Sequence, residues 1–70
     1  MFDVEVFAAR LKKMRQSKEL TTVQVAKGLG VNSATISKWE NALIKPTADS
    51  LVLIATFFNV TAGYLLGMED

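Results

Sequence analysis

The chain contains no cysteine and no histidine among its 70 residues. The first absence removes disulfides, and the two together remove the usual zinc ligand sets. Core packing alone must therefore hold the fold. Only one proline and four glycines interrupt the chain, and no strand-like alternation of apolar and polar residues persists anywhere. Long apolar runs are missing too. The longest, Leu51 to Phe58, contains Thr56 and is less than half of the roughly 20 residues a membrane span needs. Asp3 and Glu5 stand where a signal peptide would be basic and then apolar. The expectation is a soluble, cytoplasmic protein with no metal, no cofactor and no membrane partner.

Half of the residues are apolar, too many for a disordered tail. The length suits one domain spanning residues 1–70, and a chain this short buries only about 60% of the surface exposed on unfolding. Net charge is only +1, but all eight basic residues fall between Arg10 and Lys45, where only Glu19 and Glu40 are acidic. A polyanion responds to the local field of the face it meets, so this segment permits nucleic-acid binding. On charge alone, a solvated basic helix surface accounts for the pattern equally well.

Helical periodicity carries the fold. Val4, Phe7, Ala8, Leu11 and Met14 recur at three- and four-residue spacing and predict one apolar stripe on a helix over 4–17. A second helix opens on a capping box, Thr21 with Gln24, and presents Val25, Ala26 and Leu29 before Gly30 ends it. Gly28 weakens it by up to about 1 kcal/mol relative to alanine. Asn32 or Ser33 caps a third helix that reaches Asn41 after a tight turn. Lys45-Pro46-Thr47 forms a loop, and Thr47 caps a fourth helix with Leu51, Val52, Ile54, Ala55 and Phe58 expected inside. Asn59-Val60-Thr61 breaks the chain again, and residues 62–66 suffice for one more turn. The expected fold is all-α, a bundle of five short helices with a helix-turn-helix over about residues 21–41.

These residues also resemble the Cro and phage-repressor family of helix-turn-helix domains, often called the XRE family. The matching stretches are Leu20-Thr21, Val25-Ala26, Leu29-Gly30-Val31, Ile36-Ser37-Lys38-Trp39-Glu40-Asn41 and Lys45-Pro46, then Asn59-Val60-Thr61 leading to Leu65-Leu66. The resemblance spans roughly residues 6 to 67 and implies a lambda-repressor-like fold. Its implied function is a transcriptional regulator, a repressor reading a palindromic operator in double-stranded DNA as a homodimer.

Helix geometry points the same way. With Ile36 in the core, Ala34 and Lys38 lie about 200° away on the outer side, flanked by Ser37 and Asn41 and by Thr35. Such a small, polar, cationic surface can enter a major groove roughly 12 Å wide. Lys38 can donate to guanine O6 or N7, Ala34 can touch a thymine methyl, and the hydroxyls of Ser33 and Ser37 can bond several base edges. The resemblance assigns base contacts to these same four positions. Thr22, Asn32, Thr35 and Asn41 suit phosphates, as do helix N-terminal amides, and Lys45 adds a further candidate. The resemblance also implies a structural, mostly buried ion pair between Arg15 and Glu40. Trp39 is expected to pack against the fourth helix and not to stack on a base.

Two positions depart from the family pattern. Ala42 stands where glycine is usual, and Thr22 replaces a longer phosphate-binding glutamine. Other function classes remain to be weighed. The acids are dispersed, and no histidine exists to activate Ser33 or Ser37. Gly28-Leu29-Gly30 lacks the rest of a phosphate-cradling loop, so no enzymatic activity is expected. The alternative is an antitoxin-like protein-interaction module on the same fold, which the apolar Ala34 and the low net charge favour. Phe57, Tyr64, Leu65, Leu66 and Met68 read equally as dimer contacts and as a cap on the domain's own core.

Overall fold

The computed structural model describes residues 2–70, and its order is α1 (Val4–Ser17), α2 (Thr22–Leu29), α3 (Ser33–Glu40), α4 (Ala48–Phe58) and α5 (Ala62–Leu65). Among the described residues there is no strand, and no helix is long and apolar enough to cross a membrane. Each helix starts on a side-chain cap. Asp3 accepts from the amides of Glu5 and Val6, Thr21 from Gln24, Asn32 from Ala34, Thr47 from Ser50 and Thr61 from Tyr64. Every cap satisfies an amide that has no partner inside its own helix. The capping box at Thr21 is complete, with the Gln24 side chain accepting from the Thr21 amide at 2.8 Å. Asp3 does more than the sequence reading gave it, since it also places an acid at the positive end of α1.

The core draws on every helix. Phe7, Leu11, Val25, Ile36, Ile54 and Leu65 are fully buried, and Met14, Leu29, Trp39 and Phe58 close the gaps between them. Trp39 meets Phe7 edge-on, with ring centroids 6.3 Å apart. The aromatic partner of Trp39 therefore lies on α1, within a core cluster that also holds Ile54, Ala55 and Phe58 of α4. Gly28 is explained by a close approach of two helices. Phe57 lies so near its Cα that an added Cβ would stand 2.4 Å from the ring. The lost helix propensity is thus exchanged for packing of α4 on α2.

Two expectations about apolar residues fail. Val52 is 61% exposed. The buried side of α4 is set by Leu51, Ile54, Ala55 and Phe58, and steps of 100° per residue carry Val52 about a quarter-turn or more away from it. Leu65, expected among the dimer contacts, is fully buried in the domain's own core and cannot touch a second copy without unfolding. Tyr64 and Leu66 are half-buried, while Phe57 and Met68 stay exposed.

Candidate nucleic-acid interface

The site begins with the turn between α2 and α3. Gly30 takes a left-handed φ of 74°, and the amides of Gly30 and Val31 bond back to Lys27 and Ala26. Glycine adopts this conformation without a Cβ clash. Val31 packs on the core, and Asn32 then caps α3 with its side-chain oxygen 2.7 Å from the Ala34 amide. Because both ends of the turn are anchored, α3 is held at a fixed angle to α2.

Ile36 and Trp39 are the buried residues of α3. Their shared direction leaves Ala34, Ser37, Lys38 and Asn41 on the opposite side, at spacing i, i+3, i+4 and i+7, and all four are exposed. Ser33 and Thr35 lie on the two flanks and are half-buried. The expected base-contact set therefore divides: Ala34, Ser37 and Lys38 form the ridge, and Ser33 sits at its edge. Asn41 belongs on the ridge as well. Its amide donates to Ser37 O at 2.8 Å, using one amide hydrogen and leaving the oxygen free. Asn32 and Lys45 are exposed, and Thr22 is half-buried beside the core residues of α2. Lys45 lines an open groove with Phe2, Asp3, Val4 and Glu5, so two acids attenuate its field.

Glu40 would place a negative charge on α3, but Arg15 removes it. The guanidinium donates from Nε to one carboxylate oxygen at 2.7 Å and from Nη2 to the other at 3.0 Å, while Nη1 donates to Leu20 O at 2.9 Å. The side chains are 15% and 7% exposed, which makes the pair mostly buried. Hydrogen bonding to Glu40, reinforced by its charge and opposed by burial, raises the Arg15 pKa above its ordinary value. A bidentate fork of this kind fixes orientation as well as distance. It joins α1, the chain entering α2 and the end of α3.

Ala42 takes φ 59°, and the amides of Ala42 and Leu43 bond to Trp39 O and Lys38 O. The glycine-like helix end thus forms without glycine, at a cost of about 1 kcal/mol. Next to it, Leu43 is 71% exposed and Ile44 is 40% exposed. Sequence reasoning passed over this apolar pair, whose signal was two adjacent aliphatics in a loop with no periodic partner.

The helix-turn-helix family is matched over residues 11–65. The chain is 41% identical over 64 residues to the HTH-type transcriptional activator BcrR of Enterococcus faecalis, covering 91% of this chain and 31% of BcrR. It spans between 31% and 58% of the length of the curated relatives it matches. The crystal structure of the P22 c2 repressor with a synthetic operator superposes at a TM-score of 0.86, with 22% identity, 91% of this chain and 97% of that one covered. Hydroxypropylphosphonic acid epoxidase from S. wedmorenis also contains the fold, at a TM-score of 0.80 and 28% identity over 89% of this chain and 33% of that one. The fold is therefore shared by proteins of different activity. From the capped turn, the α3 ridge and the matched residues together, the chain belongs to the Cro and phage-repressor type of the helix-turn-helix family.

Proposed function

We propose that the chain is a double-stranded DNA-binding transcriptional regulator, a cytoplasmic repressor that places α3 in the major groove. The observation that carries this reading is the outer ridge of α3: exposed, free of bulky groups, with one cation and with its nearby acid neutralised by Arg15. Lys38 is assigned to guanine, Ala34 to a thymine methyl, and Ser37 with Ser33 to adjacent base edges. Thr22, Asn32, Thr35, Asn41 and Lys45 are assigned to phosphates, which set register but carry no sequence information. Catalysis forms no part of the proposal.

The dimer on DNA is part of the same proposal, and the size of the domain is compatible with it. Half-sites one helical turn apart lie about 34 Å from centre to centre. The domain measures 29 Å along its longest axis, before side chains on the partner are added. We assign the contact between two copies on neighbouring half-sites to Phe57, Tyr64, Leu66 and Met68. Four side chains are few beside the roughly 20–30 residues a side of a stable interface, so the dimer is assigned to the DNA-bound state.

The protein-interaction alternative draws on the exposed Val23, Leu43 and Val52. Selection from a random duplex pool at two salt concentrations, with Lys38→Ala beside the parent, separates the two readings. The proposal expects a symmetric motif that changes at one position per half-site in Lys38→Ala, and binding that weakens steeply with salt. Failure to enrich any motif at low salt transfers the function to the protein-interaction module.

A further inference from the structure

Arg10 sits on α1 away from the proposed DNA-binding ridge, yet it is engaged more heavily than any lysine of the chain. Its Nη1 donates to Tyr64 O and to Glu69 O, and its guanidinium lies 4.3 Å over the Tyr64 ring. The chain after α5 turns back on itself at Gly67, whose φ is 79°. The Met68 amide then donates to Gly63 O at 2.8 Å. The Glu69 carboxylate covers Gly63 where any Cβ would collide with it. Both backbone acceptors of Arg10 therefore flank Leu66 and Met68. Half-buried Leu66 and the 78% exposed Met68 have little core contact to orient them.

We infer that Arg10 is a positioning residue for self-association on DNA: by holding the carbonyls at 64 and 69, it presents Tyr64, Leu66 and Met68 in one orientation to a second copy. The inference rests on the dimer reading above. A planar, permanently charged fork that stacks and donates at once suits this task, and lysine reproduces only part of it. Because its acceptors are neutral carbonyls, the clasp needs no acid that could titrate.

The test uses the full chain and the duplex recovered by the parent, in a two-half-site form and in a form with one half-site scrambled. Arg10→Gln is expected to bind the single half-site within twofold of the parent. On the double site it loses at least tenfold of the cooperative enhancement, and Arg10→Lys recovers part of that loss. Amides of residues 66–69 exchange faster in Arg10→Gln, while those of α3 are unchanged. Should Arg10→Gln fold poorly, Tyr64→Leu removes the stacked ring and Tyr64→Phe retains it, so only the former is expected to lose enhancement. Full enhancement in a folded Arg10→Gln, or in Tyr64→Leu where Arg10→Gln fails to fold, or an equal loss on the single half-site, overturns the role of Arg10 alone. No enhancement in the parent overturns the dimer reading, and the inference with it.

Discussion

The two faces of α3 obey different rules although they alternate along eight residues. On the inner face, Ile36 and Trp39 are buried, and Glu40 at the helix end is held by a forked arginine. On the outer face, Ala34, Ser37 and Lys38 touch little and stand open to solvent. The inner face fixes where the helix sits, and the outer face is free to vary because nothing in the fold depends on it. A reading surface of this kind is specified by what the scaffold leaves unused.

Substitutions on either face put that contrast to the test. The largest effect belongs to the inner face. Ile36→Ala should destabilise the domain by about 2–5 kcal/mol through cavity formation, measured by denaturant unfolding. In a 70-residue domain this approaches the whole stability. Glu40→Gln comes next, at about 3 kcal/mol, because Arg15 is left mostly buried without its counter-charge. An unchanged melting temperature in Glu40→Gln would contradict the structural role of the pair. On the arginine side this contribution is present throughout the neutral range. The folded pKa is raised above the ordinary arginine value, so the contribution is complete below the unfolded pKa and is lost only as pH rises through the folded one.

Outer-face changes should reverse the pattern. Lys38→Ala is expected to leave unfolding free energy within about 0.5 kcal/mol of the parent. The same change should remove about 1–3 kcal/mol of discrimination at one base pair per half-site, read by competition between duplexes. On α2, away from both faces, Gly28→Ala tests packing against propensity. Propensity alone favours alanine by about 1 kcal/mol. The collision with Phe57 should make the change destabilising, and a higher melting temperature would show that Phe57 moves aside freely. The smallest effect is expected for Ala42→Gly, which relieves a left-handed alanine and should stabilise by about 1 kcal/mol.

The inner face and the caps were legible in the sequence because their causes are local. Thr21 with Gln24, Gly30, and the spacing of Phe7, Ala8, Leu11 and Met14 each act within a few residues, and the structure realises them as read. Asn32, not Ser33, proved to be the cap of α3. The Arg15–Glu40 pair spans 25 residues and came from the family resemblance, which placed both partners correctly. What escaped was set by tertiary direction. Val52 and Leu65 are both apolar, and only the packing of α4 and α5 decides that one faces out and the other in. The clasp of Arg10 joins residues 54 and 59 positions apart, and no local pattern marks it.

Amide chemical shifts of the labelled chain during titration with the selected duplex report whether the outer ridge of α3 is the surface meeting DNA. Ala34, Ser37, Lys38 and Asn41 are expected to move most, with Thr22 and Asn32 following and the exposed side of α4 unchanged. Shifts concentrated on Val52 and Leu53, with the ridge of α3 still, would contradict it.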